Sequence, residues 1–343
     1  MEFAPDGRLF VAEQAGKLYV VEPGGTLAAF LDISSKVDST DERGLLALTF
    51  DPDFSTNHYV YLHYTRKATA TTPVHSRIVR VTANGDQVVA GSEKLIFRLD
   101  NQDDTHHMGG ALDFGNNGKL YISTGDNVGG NTQTLNNLLG KMLRINKNGT
   151  IPTNNPFYAK ASGNNRAIWA LGLRNPFKFA VKPGTSTIFI NDVGADAWEE
   201  INQLEKGANF GWNLCEGKYD NPSKPGSVPC SAAPYTAPVH EYAHGSTNTT
   251  GCSITGGVFY NPTTILFPQE YEGDYFFADF CSGWIRKLEP SPDAESGFAA
   301  SEFATGLERP IDLEVSQAGE LYYLARGPTG GLAYVGKISY AGN

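Results

Sequence analysis

The chain has 343 residues, of which 40% are hydrophobic and 19% charged, with 38 glycines and 19 prolines; this is the composition of a globular protein with many tight turns, not of a disordered chain. Its formal net charge of −10 argues against a nucleic acid as the main partner, because that role needs a basic face. No run approaches the ~18 apolar residues that a membrane span requires.

In chain order, one pattern returns six times. A short apolar stretch meets a Gly/Asp/Pro turn, and a strand follows. The copies are FAPDGRLFVAE from Phe3, FDPDFSTNHYVYLHY from Phe50, FGNNGKLYIST from Phe114, VKPGTSTIFIND from Val181, YEGDYFFAD from Tyr271 and VSQAGELYYLA from Val315. Copies tens of residues apart, rich in β-branched and aromatic residues, predict an all-β chain built as a six-bladed β-propeller of four-stranded antiparallel blades. The expectation is one closed domain over residues 1–343. The chain opens inside a blade, which reads as the trimmed N-terminus of a longer exported precursor. The final segment, GLAYVGKISYAGN, reads as a last strand that completes the ring with the first residues.

The turns are unevenly spaced, and the surplus lies in three insertions: Asp100–Gly110, Asn127–Gly140 and Asn213–Gly251. Long connections in a compact domain are usually functional. Helix is scarce; single turns are expected near Thr134–Leu139 and over Ala197–Leu204. The four cysteines, Cys215, Cys230, Cys252 and Cys281, suggest two disulfides and an oxidising compartment, secreted or periplasmic. Cys215 and Cys230 bracket one short loop, and Cys252 and Cys281 flank a strand pair. Spacing alone leaves three connectivities open.

Four segments could carry chemistry. In Asp103-Asp104-Thr105-His106-His107-Met108-Gly109-Gly110, a histidine beside a Gly-Gly hinge suits general base work near neutral pH; the alternative is a histidine bonded only within its loop. In Leu171-Gly-Leu-Arg174-Asn175-Pro176, the guanidinium of Arg174 can grip an oxyanion, or simply hold turn carbonyls. Asp192-Val-Gly194-Ala195-Asp196 through Glu199-Glu200 to Phe210 is rich in oxygen ligands, which suits Ca²⁺ better than a transition metal, although acidic turns are common. Asp41-Glu42-Arg43 reads by default as an ion pair. Neither a Gly-x-Ser-x-Gly elbow nor a Gly-x-Gly-x-x-Gly strand-to-helix turn is present, which argues against a serine hydrolase and a nicotinamide enzyme.

Taken in order, these segments resemble the soluble quinoprotein glucose/sorbosone dehydrogenases, six-bladed propellers that use pyrroloquinoline quinone (PQQ) and Ca²⁺. The matching pieces are ERGLLALTFDPDF, HMGGALDFGNNGKLYISTGD, LGLRNPFKF, EEINQLEKGANFGWN, and CSITGG with YFFADFCSG. The resemblance implies His107 as general base and Arg174 and Asn175 as contacts to the quinone, with Arg174 near its reactive carbonyl. It implies the carbonyls of Gly194 and Ala195 as ligands of the active-site Ca²⁺, and Glu200 with the Phe210 carbonyl at a second Ca²⁺. Arg309 would pair with a PQQ carboxylate, and Glu42 would stand beside the cofactor. The implied reaction is proton removal from a sugar hydroxyl by His107, with hydride passing to the quinone and an external acceptor reoxidising it. A monomer or homodimer is expected.

Several positions depart from the family pattern. Glu42 stands where Gln is usual, Cys281 where some members carry a cofactor-gripping lysine, Ile311 where a second arginine is found, and Trp284 where secreted relatives often show arginine. Two missing cationic contacts at ~1.5–3 kcal/mol each would weaken cofactor binding more than tenfold. The alternatives are therefore a binding propeller that has lost its cofactor, or a Ca²⁺-dependent lactonase.

Overall fold

A computed structural model describes residues 1–221, 229–329 and 331–340. The chain divides into two compact units, Met1–Leu171 and Gly172–Asn343, each carrying three antiparallel blades. It is an all-β chain of the six-bladed propeller class.

In the first unit, blade one is β1 (Glu2–Phe3), β2 (Leu9–Glu13), β3 (Lys17–Val21) and β4 (Leu27–Asp32), paired in that order. Blade two is β5 (Leu45–Phe50), β6 (Tyr59–Arg66) and β7 (His75–Asn84), with β8 (Gln87–Val88) and β9 (Lys94–Asn101) both pairing with β7. Blade three is β10 (Gly109–Phe114), β11 (Lys119–Thr124), β12 (Lys141–Asn146) and β13 (Ile168–Leu171). In the second unit, blade four joins β14 (Pro176–Val181), β15 (Ile188–Asp192) and β16 (Trp198–Gln203) to β19 (His240–Ala243), and a hairpin of β17 (Cys215–Glu216) and β18 (Tyr219–Asp220) lies between. Blade five is β20 (Ile254–Phe259), β21 (Tyr275–Asp279), β22 (Trp284–Pro290) and β23 (Phe298–Ala304); blade six is β24 (Pro310–Val315), β25 (Leu321–Ala325) and β26 (Tyr334–Ile338).

Five of the six repeat copies fall on the first two strands of a blade, and YEGDYFFAD enters β21. Blade strands are apolar on both faces because each face packs against a neighbouring sheet. On β6, Val60, Leu62 and Tyr64 enter one core with Phe10, Phe30 and Phe50. Tyr61, on the opposite face, enters another with Ile78, Leu120, Ile122 and Leu143. The second unit is built in the same way around Phe189, Tyr275, Phe277 and Trp284, and around Tyr260, Phe276, Leu313 and Leu321.

Three expectations need correction. Ala197–Leu204 is not helical: Trp198–Gln203 is β16, held between β15 and β19 in a full ladder. Residues 134–139 form bends instead of a helical turn. The buried ammonium of Lys141 donates to the carbonyls of Thr132 and Leu139 (2.8 and 2.5 Å), and the Leu138 N–H goes to Asp100; these bonds satisfy the backbone without helix. The 213–251 insertion is not structureless, since it contains β17, β18 and β19. The last strand, β26, pairs with β25 inside its own blade.

The disulfides are Cys215–Cys230 and Cys252–Cys281, each with Cα atoms 5.7 Å apart. Residues 222–228 of the first disulfide loop, expected to shape a substrate mouth, lie outside the described residues. No described helix is long and apolar enough to cross a membrane.

Candidate active site

In the first unit the site is a loop that leaves β9 and enters β10. His107 sits there at φ 55°, followed by Gly109 and Gly110 at φ 62° and 104°. A Cβ on Gly109 would press into the Thr124–Gly125 backbone, and one on Gly110 into Leu46; the hinge seen in the sequence is therefore a packing requirement. His107 Nδ1 lies 2.7 Å from Asp126 Oδ1. The histidine side chain is 15% exposed and the aspartate 2%. With Nδ1–H donated to the carboxylate, the neutral ring keeps its lone pair on Nε2, and Nε2 makes no hydrogen bond among the described residues.

The loop is held from several sides. Glu42 Oε2 accepts the His107 N–H at 2.8 Å. Asn127 accepts the N–H groups of Asp103 and Asp104 and donates to the carbonyls of Asp104 and His106. Arg43 is buried; it pairs with Asp38 at 3.0 Å and donates to the carbonyls of Gln102 and Asp104. A small cavity reaches His107, lined also by Ser76, Gln102, Met108, Thr124 and Asn127. His106 is different. It is half exposed and bonds to Asp104 at 3.1 Å, which raises its pKa. Asp126, Asn127 and Lys141 were missed as supports, because nothing in their local sequence says what they face.

In the second unit, Arg174 and Asn175 are placed by one carboxylate. Asp192 accepts the Arg174 N–H at 2.9 Å and the Asn175 N–H at 2.7 Å. The Arg174 guanidinium donates to the Val193 carbonyl at 3.0 Å and lies over the Trp212 ring, 5.6 Å from its centroid. Its Nε is buried and has no hydrogen-bond partner among the described residues, so the guanidinium keeps unused donor capacity.

The turn after β15 has an unusual arrangement. Glu216 Oε1 accepts four consecutive N–H groups, from Ala195, Asp196, Ala197 and Trp198, at 2.8, 2.9, 2.8 and 3.1 Å. Burial alone would raise this carboxyl, yet the N–H groups hold its pKa below the ordinary value. The carbonyls of Gly194 and Ala195 accept no hydrogen bond among the described residues. Glu200 is buried, with Oε1 on the Gly217 N–H and Oε2 on Asn202. Burial first, and then the charge of Asp192, pushes it up to about 8. Phe210 is buried and its carbonyl likewise accepts no described hydrogen bond. Among the described residues, no three His, Cys, Asp or Glu side chains are grouped to hold a metal, so a cation here would need backbone oxygens in its ligand set. Arg309 donates Nε and Nη2 to the Gly327 carbonyl at 2.7 and 2.5 Å and lies over Phe280.

The description of the glucose/sorbosone dehydrogenases as a family matches residues 1–334. The chain belongs to that family. The HIPL2 protein of Arabidopsis thaliana is 28% identical over 96% of this chain and 57% of its own length. Quinoprotein glucose dehydrogenase B of Acinetobacter calcoaceticus is 30% identical over 64% of this chain and 50% of its own. The crystal structure of the soluble aldose sugar dehydrogenase from Escherichia coli, in its apo form, superimposes with TM-score 0.79 at 26% identity, covering 94% of this chain and 91% of that one. The chain spans about half the length of the curated relatives it matches.

Against that family pattern, two departures have a structural reason. Cys281 is bonded to Cys252, so a disulfide stands where a cation was expected. Trp284 is a core residue, 1% exposed, whose indole donates to the Thr250 carbonyl at 3.0 Å, so the position is filled by an apolar ring in the core.

Proposed function

We propose that this family member is a PQQ-dependent sugar dehydrogenase that oxidises an aldose or pyranose with His107 as general base. The observation that carries the reading is the His107–Asp126 pair, an imidazole held through Nδ1 by a buried carboxylate with Nε2 making no described hydrogen bond. Nε2 takes the hydroxyl proton of the sugar, and Asp126 stabilises the imidazolium that forms. Arg174 and Asn175 would hold oxygen atoms of the cofactor, and Arg309 would contribute positive charge toward a carboxylate. The donor set also fits a hard cation, with two unbonded carbonyls at Gly194 and Ala195, and with Glu200 and the Phe210 carbonyl for a second Ca²⁺. PQQ, when bound, would supply the hydride-accepting carbon, and Ca²⁺ would supply Lewis acidity. Two disulfides support a secreted or periplasmic setting. An external acceptor completes the turnover.

The test is titration of the purified protein with PQQ in excess Ca²⁺, followed by aldoses and a dye acceptor. Saturable binding and sugar-dependent bleaching that disappears in His107→Ala are expected. Absence of binding at tens of micromolar PQQ would sink the reading. The disulfide at Cys281 and the apolar Ile311 favour a second reading in that event: a recognition propeller that keeps the scaffold without the cofactor.

A further inference from the structure

We propose that Glu216 is the positioning residue of the cation turn and that the Cys215–Cys230 disulfide holds Glu216 in place. This rests on the reading above, in which the carbonyls of Gly194 and Ala195 take Ca²⁺.

The reason is peptide geometry. In a trans peptide the N–H and the C=O of one unit point in opposite directions. The N–H of Ala195 shares its unit with the C=O of Gly194, and the N–H of Asp196 shares its unit with the C=O of Ala195. Glu216 Oε1 takes both N–H groups, at 2.8 and 2.9 Å. Drawing them inward turns the two carbonyls away from the carboxylate and out of the turn's own hydrogen bonding. The N–H groups of Ala197 and Trp198, on the same oxygen, fix the rest of the turn. Gly194 is required, because a Cβ there would overlap the Trp198 carbonyl and come within 3.0 Å of Glu216 Oε1. The buried carboxylate would also add negative charge behind the two carbonyls without itself being a ligand, a role typical of outer-shell groups.

Glu216 is itself tethered. It lies in the two-residue strand β17, paired with Tyr219 across the hairpin. The neighbouring residue, Cys215, is buried and bonded to Cys230. On the other side Tyr219 stacks on Trp198, with ring centroids 4.9 Å apart. So short a hairpin has little stability of its own, and the covalent link limits its excursions. Reduction of this disulfide then loosens the carbonyl pair, which makes the site sensitive to redox conditions.

Two measurements test this. Hydrogen–deuterium exchange in Ca²⁺-free buffer reads the amides of Ala195–Trp198 directly. Glu216→Ala should raise their exchange at least tenfold while leaving β14 and β15 unchanged; Glu216→Gln, which keeps a neutral acceptor, should raise it less and guards against a variant that fails to fold. The paired Cys215→Ser/Cys230→Ser variant should show an intermediate rise. Calorimetric titration with Ca²⁺ should show affinity at least tenfold lower in Glu216→Ala than in the unaltered protein. Unchanged exchange in Glu216→Ala overturns the positioning role, and unchanged exchange in the serine pair overturns the part given to the disulfide. Faster exchange with unaltered Ca²⁺ affinity overturns the link to the cation. If the unaltered protein binds no Ca²⁺ while exchange still responds to Glu216, the cation reading fails and the anchoring of the turn stands.

Discussion

His107 Nδ1 and Asp126 Oδ1 are 2.7 Å apart although the two residues lie nineteen positions apart in the chain. β10 and β11 form the hairpin that brings them together, and the aspartate sits just beyond the end of β11. This pairing sets the tautomer of the histidine. Asp126→Asn keeps the size but offers an amide where a carboxylate should stabilise an imidazolium. We expect kcat to fall by roughly 10²–10⁴ with little change in thermal midpoint. Steady-state rates with the best sugar, alongside circular dichroism, check this; an asparagine variant with full activity would remove His107 from the role of base.

Arg174 donates one nitrogen to Val193 and rests on Trp212. A lysine keeps the charge and loses both the planar stack and the fork. Arg174→Lys should therefore lower PQQ affinity or turnover by roughly 10²-fold, with the blade unaltered by near-ultraviolet circular dichroism. Equal affinity in the variant would show that the guanidinium is only a brace for the turn.

Glu200 is pushed up to about 8 by burial and by Asp192. The sign follows from linkage. In the metal-free protein the folded state keeps this proton while the unfolded chain releases it above its ordinary value near 4.5. Stability is therefore lost as pH rises from about 4.5 toward 8. Glu200→Gln should remove that loss, so the metal-free variant melts higher than the unaltered protein at pH 8. With Ca²⁺ at about 100 times its Kd, the unaltered protein should gain about 2.7 kcal/mol, and the variant less. Melting curves at pH 5 and 8, with and without Ca²⁺, give all four quantities.

His63 lies wholly inside blade two, and burial pushes it down to about 4 from an ordinary 6.5. A base with a depressed folded pKa stays neutral in the fold and takes up a proton on unfolding. Its contribution is present above pH ~6.5 and is lost as the pH falls toward 4, on the order of 3 kcal/mol in all. His63→Leu should flatten the acid limb of the stability curve over that window. A curve of unchanged slope would mean that another group dominates acid unfolding.

Repeats and turns were legible in the sequence because they are local. A Gly or Asp turn between two apolar runs specifies a hairpin whatever surrounds it, and the six copies mark blade after blade. The His107 loop stood out as well, because its Gly-Gly neighbours are adjacent in the chain, whereas cysteine spacing left three connectivities open and the fold chose Cys215–Cys230 and Cys252–Cys281. The stretch at Trp198–Gln203 was misread as helix because its six residues carry no clear period, and only the ladder to β15 and β19 makes it a strand. Lys141 gave no sign that its ammonium would stand in for helical hydrogen bonds across residues 132–139.

What the sequence alone determined is the inventory: an all-β repeat, a histidine on a hinge, an arginine before a strand, and a turn rich in oxygen. What only the tertiary structure decided is which group faces which. Asp126 rather than Asp103 or Asp104 orients His107, Asp192 fixes Arg174 and Asn175, and Glu216 gathers the N–H groups of Ala195 and Asp196. The reason is that a hydrogen bond is a relation between positions in space, and these partners are brought together by strand pairing across spans that local sequence does not encode.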